Sequence, residues 1–428
     1  MFASSLAAVL ARRKIHYGWV MVALTFLTTL STAAVMGLVG VLFDPLKTEF
    51  GWQTSSISGA LALRLMLFGL VAPFAAAFIA RYGIRRMVGL ALLLVIAGVA
   101  LATQMTALWQ LWATWGVMVG VGTGVTALVL GATVANRWFT RRRGLVIGLL
   151  TAANATGQLL FLPMVAWMAD RYGWRIAVLP PVVACAVAWA LMALLGCDFP
   201  SQLGLASYGE SAISQPPARP GGNPFATSIK VLAEASQEPM FWLLFGTFFV
   251  CGLSTNGLIQ SHFIPLCHDF GMESVAAAGV LATMGAFDFV GTIGSGWLSD
   301  RFDNRKLLFM YYGLRGLSLM ALPYTDFSFF GLSLFAVFYG LDWIATVPPT
   351  IRLASAAFGR ERAPLVFGWI FTGHQIGAAV AAAGAGMIRD GTGSYLPAFF
   401  ASGVACILAA VAIVGVRRQP DIRQLSPG

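Results

Sequence analysis

Gly296-Trp-Leu-Ser-Asp-Arg-Phe-Asp-Asn-Arg-Lys306 joins two long apolar stretches of the chain. A related loop, Ala76-Ala-Phe-Ile-Ala-Arg-Tyr-Gly-Ile-Arg-Arg86, lies about 220 residues earlier and joins two other apolar stretches. A basic loop repeated at corresponding places in two hydrophobic halves indicates an internal duplication. The copies differ at an informative position, because Ala80 stands where the second copy has Asp300.

The composition predicts a chain surrounded by lipid. Of its 428 residues, 58% are hydrophobic and 10% are charged, whereas soluble proteins carry about 25% charged residues. So few charges cannot cover a water-facing surface, but they suit a lipid-facing one. The lipid bilayer is therefore the first expected partner.

Twelve apolar runs are long enough to cross a bilayer as helices of about 20 residues. They predict an all-α membrane protein with twelve transmembrane helices in two pseudo-symmetric six-helix halves. The halves cover residues 1–196 and 239–428, and a proline-rich cytoplasmic linker, 197–238, joins them. The end of this linker, 225–236, is expected to form a short amphipathic helix on the membrane surface. The predicted spans are 18–40, 54–80, 87–105, 108–134, 144–168, 175–196, 239–265, 274–299, 306–323, 327–348, 364–388 and 394–416.

The positive charges predict the orientation. With both termini in the cytoplasm, 21 of the 27 Lys and Arg residues face inward and 4 face outward. Positive residues mark the cytoplasmic side, so we expect a multi-pass protein of the cell (inner) membrane. This topology accounts for the net charge of +10 without a nucleic-acid partner. The basic start, 1–14, lacks a cleavage site after a short apolar core, which favours a retained first helix.

Cofactor and metal patterns are missing from the sequence. The five cysteines lie far apart with no C-x-x-C spacing, which argues against disulfides and zinc. Gly120-Val-Gly-Thr-Gly124 lies within a predicted span with no strand before it, so it indicates close helix packing rather than a dinucleotide site. We therefore predict no cofactor and no enzymatic activity.

The two loops resemble the G-x-x-x-D-R-x-G-R-R/K loop of the major facilitator superfamily, which lies between helices 2 and 3 and again between helices 8 and 9. This resemblance implies two halves that rock about a midplane site, with the loops acting as conformational latches, and a protein that functions as a monomer. In this sequence the latch residues are Asp300, Arg301, Arg305, Arg81 and Arg85. Ala80 in place of the acid predicts a weak latch in the N-terminal half.

Four further segments are similar to the branch that contains monocarboxylate transporters and oxalate/formate antiporters. The branch offers a carboxylate an Arg on helix 8 and a Lys on helix 1. Here Thr292 replaces that Arg, although Asp288 matches the Asp one turn before it, and the Lys has no match. Either the anion is held elsewhere, or the substrate is not a simple monocarboxylate. The segments are Gly18-Trp-Val20, Asn136-Arg-Trp-Phe-Thr-Arg-Arg-Arg-Gly-Leu-Val-Ile-Gly148, Tyr339-Gly-Leu-Asp-Trp-Ile-Ala-Thr-Val-Pro-Pro-Thr350 and Phe367-Gly-Trp-Ile-Phe-Thr-Gly-His-Gln-Ile-Gly377.

Ionisable side chains inside spans need a reason, because each costs roughly 2.5–3.5 kcal/mol at mid-helix. At a rise of about 1.5 Å per residue, Arg64, Asp288 and His374 lie near the midplane. Arg64 is the expected anion ligand, because its guanidinium matches a carboxylate and keeps its charge. The alternative for Arg64 is a structural ion pair. Arg315 and Asp342 also fall within spans.

Asp288, His374 and Asp342 are the candidate proton carriers, since an apolar environment favours a neutral carboxyl group and imidazole titrates near neutrality. The alternatives are a permanent bridge from Asp288 to Arg315, or from Asp342 to Arg315. His374 also joins the candidate substrate ligands. The remaining ones are neutral amides: Asn256, Gln260, Gln375, Asn154 and Gln158.

These expectations combine into a secondary active transporter that moves a small organic anion, with a carboxylate as the simplest choice, by proton symport. The alternatives are an anion exchanger and a proton-driven exporter of amphipathic compounds. Gly157-Gln-Leu-Leu-Phe-Leu-Pro163 lacks the Gly-Pro motif of many exporters, which argues against export. A non-transporting receptor is disfavoured, because the longest loop has about 40 residues.

Overall fold

The computed structural model describes residues 2–52, 54–215, 222–272 and 274–415. Within these ranges the chain is almost entirely helical, and an isolated β-bridge joins Phe139 to Tyr208. Twelve long helices, named α1 to α12, correspond in order to the twelve predicted spans, so the predicted fold class is confirmed. Nine of the described helices meet the length and hydropathy expected of a membrane span.

The first six long helices belong to the N-terminal half and the last six to the C-terminal half. In chain order they are α1 Gly18–Gly37, α2 Thr54–Tyr82, α3 Ile84–Ala102, α4 Leu108–Trp138, α5 Arg143–Tyr172, α6 Trp174–Leu195, α7 Pro239–Asp269, α8 Ser274–Ser299, α9 Asn304–Ala321, α10 Phe329–Phe358, α11 Ala363–Thr392 and α12 Leu396–Gly415.

Three shorter helices lie outside the long ones: Phe2–Arg12, Val39–Phe50 and Pro224–Ala235. The last confirms the helix predicted at the end of the linker. It begins there because the Asn223 side chain accepts a hydrogen bond from Phe225 N at 3.0 Å, and because Pro224 fits the first turn, where a missing N–H costs nothing. The other two helices were not predicted.

Three long helices are irregular within their length. In α7 the segment Leu253–Ile259 is a π-helix. In α4 the π-helix Trp112–Val119 is followed by an extended residue at Ala127. Irregular backbone within a span is typical of transporters, where it lines a cavity or a hinge.

Helix α10 is interrupted after Asp342 and resumes at Val347. The sequence predicted that this span ends at residue 348, which is wrong, since the helix continues to Phe358. Pro348 and Pro349 do not end the helix. They instead occupy the first turn of the second segment, where the ring causes no clash and no hydrogen bond is lost.

The two halves meet most closely towards the end of the bundle that carries both repeated loops, called the basic end below. Helix α5 packs on α8 so tightly that a Cβ atom at Gly148 would lie 2.7 Å from the carbonyl oxygen of Thr292. Helix α2 packs on α11, where the Phe68 and Phe371 rings lie 5.5 Å apart and Thr372 Oγ1 donates to Gly69 O at 3.3 Å. The structure is therefore closed at the basic end.

Candidate substrate and coupling site

Arg64 is a buried cation without a carboxylate partner among the described residues. Its side chain is 5% exposed. Nη1 donates to Met36 O, in the last turn of α1, at 3.1 Å, while the buried Nε has no hydrogen-bond partner. A helix C-terminus carries partial negative charge, so it offsets only part of the cost of burying the guanidinium. The guanidinium therefore keeps at least one N–H donor, on Nε, without a partner.

Arg315 is the opposite case, because all three of its nitrogens donate hydrogen bonds. Nε bonds Asp342 Oδ2 at 2.7 Å, and Nη2 bonds Asp342 O at 2.6 Å and Trp343 O at 2.9 Å. These carbonyl groups stand at the end of the first α10 segment, where helical partners run out. Nη1 contacts Cys251 and Ser254 on α7. Arg315 therefore holds the interruption of α10, and this geometry favours the structural interpretation of its pair with Asp342.

Asp288 lies on the other side of the same interruption. It is 1% exposed, and its Oδ1 accepts from Thr292 Oγ1 at 2.8 Å and from Ile344 N at 2.9 Å. Thr292 stands where the monocarboxylate transporter branch has an Arg, and in this structure it donates its hydrogen bond to the Asp288 carboxyl group. In the structure Arg315 pairs with Asp342, and Asp288 forms no ion pair among the described residues.

His374 is buried between two aromatic rings on α7 and α11. Its ring centroid lies 5.0 Å from that of Phe248 and 5.8 Å from that of Phe371, and the Cys251 thiol lies beside it. The buried Nδ1 has no hydrogen-bond partner. A buried imidazole nitrogen without a partner can accept or donate a proton to a ligand.

The described amide side chains predicted as substrate ligands are less buried than Arg64, Asp288 and His374. Gln375 lies against Gly69 at the contact between α2 and α11. Asn256 lies in the π-helical segment of α7 and is half-buried, and Gln260 is exposed one turn later. Asn154 is half-buried on α5, and the side chain of Gln158 lies outside the described residues.

The second repeated loop ties the two halves together. Asp300 Oδ1 accepts from Gly144 N at 2.8 Å, and Oδ2 accepts from Leu145 N at 3.0 Å. Both N–H groups belong to the first turn of α5, where the helix dipole favours a negative charge. Arg352 Nη2 lies 3.9 Å from the same carboxylate. Asp300 thus caps a helix of the opposite half, and the latch role assigned to it stays a prediction.

The loop arginines contact their own half. Arg301 lies over the Trp297 ring at 3.9 Å, and Arg81 lies 5.4 Å from the Tyr82 ring centroid. The backbone N–H groups of Arg305 and Arg85 are bonded by Asp303 and Asp198 respectively. The latch roles assigned to these four side chains stay predictions.

A contact at the basic end was missed by sequence reasoning. Arg360, between α10 and α11, reaches into the N-terminal half, where Nη2 bonds Asn136 O at 2.9 Å and Phe139 O at 3.2 Å. Its Nη1 bonds Glu210 of the linker at 3.1 Å. No motif marks these residues, because the contact depends on how the linker folds back.

Two six-helix halves that meet around buried, partly unpaired ionisable groups define the class of membrane transporters. The family model "Major Facilitator Superfamily" matches residues 25–382. The chain belongs to this superfamily, and it is a multi-pass membrane transporter rather than an enzyme.

The relatives agree at low identity. The chain is 26% identical to "Monocarboxylate transporter 13" of Rattus norvegicus, with 90% of this chain and 86% of that protein covered. It is 25% identical to "Uncharacterized MFS-type transporter YcxA" of Bacillus subtilis (strain 168), covering 88% and 90%.

Solved structures share the fold. The proton:xylose symporter XylE, bound to 6-bromo-6-deoxy-D-glucose, aligns with a TM-score of 0.69 at 16% identity, covering 92% of this chain and 94% of that one. FucP in the outward conformation aligns with a TM-score of 0.65 at 17% identity, covering 94% and 100%.

Proposed function

We propose that this transporter moves a small organic anion, with a carboxylate as the simplest choice, across the cell membrane together with a proton. The basic end faces the cytoplasm with both termini, in accordance with the charge asymmetry. The protein acts as a monomer by alternating access between two six-helix halves.

The burial of Arg64 without a carboxylate partner among the described residues is the observation that carries this proposal. A guanidinium that is 5% exposed, with a buried Nε lacking a partner, is costly unless something neutralises it for part of the cycle. The buried Arg315 is already neutralised by Asp342. A planar anion fits Arg64, because two parallel N–H groups match two carboxylate oxygens.

Asp288 is the preferred proton carrier. It is buried and bonded only by neutral donors, Thr292 and Ile344, so no cation fixes it in the ionised form. Asp342 is held by Arg315 at 2.7 Å, which favours a structural role for that carboxylate. His374, with its unpartnered Nδ1, is the second group able to exchange a proton next to the substrate.

In this proposal the anion and the proton are transported together because each of them neutralises a buried charge. An anion paired with Arg64 and a proton on Asp288 remove two uncompensated charges from the apolar barrier. Asp288 accepts a hydrogen bond from Ile344 N at the interruption of α10, an element that can bend, and this supports a proton carrier next to a hinge. Protonation therefore acts on a hinge as well as on the charge balance.

The names of the relatives support a carboxylate, since several are called monocarboxylate transporters. Because Thr292 stands where the monocarboxylate transporter branch has its helix-8 Arg, the candidate cation of this chain lies on α2 instead. We propose Arg64 as that cation, with His374 and the amide of Gln375 as neighbours on α11.

Uptake into proteoliposomes tests the coupling. With an inward proton gradient, the wild type should concentrate a carboxylate substrate, and Asp288→Asn should abolish this gradient-driven uptake while retaining anion exchange. Asp326→Asn, the same change at an exposed loop position, is the control and should behave as wild type.

Two results would overturn parts of the proposal. Gradient-driven uptake by Asp288→Asn would remove Asp288 from the coupling role. Wild-type transport that ignores an imposed pH gradient would replace symport with exchange.

A further inference from the structure

The first repeated loop lacks the acidic residue, and α11, the helix that such a residue would cap, lacks the matching N–H group. The repeat offset of about 220 residues pairs Ala80 with Asp300, and it pairs Pro364 with Gly144. Gly144 N donates to Asp300, whereas Pro364 has no N–H to donate. The next N–H, that of Leu365, bonds Arg362 O at 3.0 Å. The start of α11 therefore offers no equivalent of the α5 cap.

A cavity lies where a second latch, equivalent to the contact between Asp300 and α5, would otherwise be. It has a volume of about 590 Å³, and Ala80 and Pro364 both line it. Its other walls come from the end of α4, the linker and the loop before α11, so both halves and the linker enclose it. Small-molecule sites fall in the range of about 300–1,000 Å³.

One cation in this cavity lacks a full set of partners. Arg137 Nη1 is buried with no hydrogen-bond partner, while Nη2 reaches only Ile79 O at 3.4 Å. The Arg137 guanidinium lies 4.4 Å from the centre of the Phe199 ring, which also lines the cavity. A cation beside an aromatic wall suits an acidic group attached to an apolar body.

The other cations of the cavity are already paired. Arg360 bonds Glu210 at 3.1 Å, and Arg362 bonds Glu234 at 3.0 Å. Lys230 lies 3.9 Å from Glu234. Arg137 also interacts electrostatically with Asp198, but it forms no ion pair among the described residues and keeps an unpartnered Nη1, which distinguishes it from the other cations of the site.

We propose that this basic-end cavity binds an organic compound with a carboxylate or phosphate group and an apolar body, held by Arg137. The bound anion stands where the first loop lacks its acid. Because both halves contribute walls, binding stabilises the conformation that is closed at the basic end. This site is separate from Arg64, and it does not depend on the substrate of transport.

Thiol protection tests the site directly. The five native cysteines are buried, whereas Ser214 is exposed and lines the cavity. In the purified Ser214→Cys protein, benzoate or phenyl phosphate should slow maleimide labelling, by about tenfold at ten times the Kd. Benzyl alcohol, which has the ring without the charge, should not.

Variants in the same background assign the contact. Arg137→Gln should abolish protection, and Arg137→Lys should retain part of it, which separates loss of charge from misfolding. Lys230→Gln removes a paired charge from the same cavity and should leave protection unchanged. Arg64→Gln should also leave it unchanged, so a failure here is distinct from a failure of the transport proposal.

A second readout tests the conformational effect. The N–H groups of Gly144 and Leu145 are bonded by Asp300 in the closed form, so their hydrogen exchange should slow several-fold when benzoate binds. Protection by benzoate in lipid-free detergent assigns the anion to a soluble compound. Protection by phosphatidylglycerol alone, and not by phosphatidylcholine, assigns it to a lipid headgroup.

The proposal is overturned by equal labelling with and without every anionic probe, or by equal protection from benzyl alcohol. It is also overturned if Arg137→Gln remains fully protected, or if protection leaves the exchange of Gly144 and Leu145 unchanged.

Discussion

Among the described residues, each half of the bundle buries one arginine near the middle of a long helix, and the two are held differently. In the C-terminal half, Arg315 pairs with Asp342 and with the interrupted backbone of α10. In the N-terminal half, Arg64 has a single carbonyl contact and an unpartnered Nε. We infer from this difference that the two halves of the duplicated fold have separate tasks. In this proposal the C-terminal half keeps its charge to hold a hinge, and the N-terminal half leaves its charge for a ligand.

The largest effect on stability is expected from breaking the ion pair between Arg315 and Asp342 in the C-terminal half. Asp342→Leu leaves Arg315 buried without its counter-charge, which should destabilise the protein by about 3–5 kcal/mol. Arg64→Leu removes a cation with no carboxylate partner, so its stability should change little or rise. Thermal unfolding of the two purified variants measures this contrast. Equal destabilisation would show that Arg64 is structural as well.

The second effect concerns the latch. Asp300→Ala removes two charge-assisted bonds to the first turn of α5, and we expect a loss of about 2 kcal/mol from the closed form. This corresponds to a shift of about 30-fold towards the form open at the basic end. Hydrogen exchange at residues 144–145 reports it. Unchanged exchange in the variant would remove Asp300 from the latch.

A smaller effect is expected from Glu210→Gln. The pair with Arg360 is partly exposed, with side-chain exposures of 27% and 38%, so it should contribute only about 0.2–1 kcal/mol to the closed form. Glu210→Asp, which keeps the charge, is the control for the same exchange measurement. A loss as large as that of Asp300→Ala would make Arg360 the main latch.

The Glu210 pair also has a predicted pH dependence. The hydrogen bond from Thr140, together with the contact from Arg360, lowers the pKa of Glu210 below its ordinary value. A lowered pKa means that the contribution is complete above the ordinary carboxyl pKa, and that it disappears as the pH falls through the lowered value. Changing the pH between 7.5 and 5.5 should therefore leave this contact intact. A weakening of the Glu210→Gln effect within that window would contradict the assignment.

The smallest effect should come from restoring the missing acid. Ala80→Asp should not create a second latch, because Pro364 has no N–H and Leu365 N already bonds Arg362 O. Transport and exchange rates should stay near those of the wild type. A clear stabilisation of the closed form would mean that the start of α11 rearranges to accept the carboxylate.

The sequence predicts the fold well, because a bilayer-spanning helix must be apolar along its whole length and the repeated loops give the register of the halves. It predicts helix ends less well, as α10 shows. Its prolines look like a stop, yet they begin a new segment. Counting residues also places Arg64, Asp288 and His374 near the midplane, and all three are buried in the structure.

Partners are harder to predict than depth. The pair between Arg315 and Asp342 depends on the rotation of α9 and α10 about their axes, so sequence reasoning left Asp288 and Asp342 as alternatives. The contact of Arg360 with Asn136 joins residues 224 apart and depends on the folding of the linker. No local pattern encodes either choice.

Ligand stabilisation of the purified protein tests the central claim about Arg64 most directly. A panel of small carboxylates should raise the unfolding temperature, with a gain of about 2.7 kcal/mol at 100 times the Kd and a larger effect at pH 5.5 than at 7.5. In an Arg137→Gln background, which removes binding at the basic-end cavity, we predict that Arg64→Gln abolishes this stabilisation, whereas Arg171→Gln, at an exposed position, retains it. Stabilisation that survives in Arg64→Gln, or that comes from neutral or cationic compounds instead, would contradict the account.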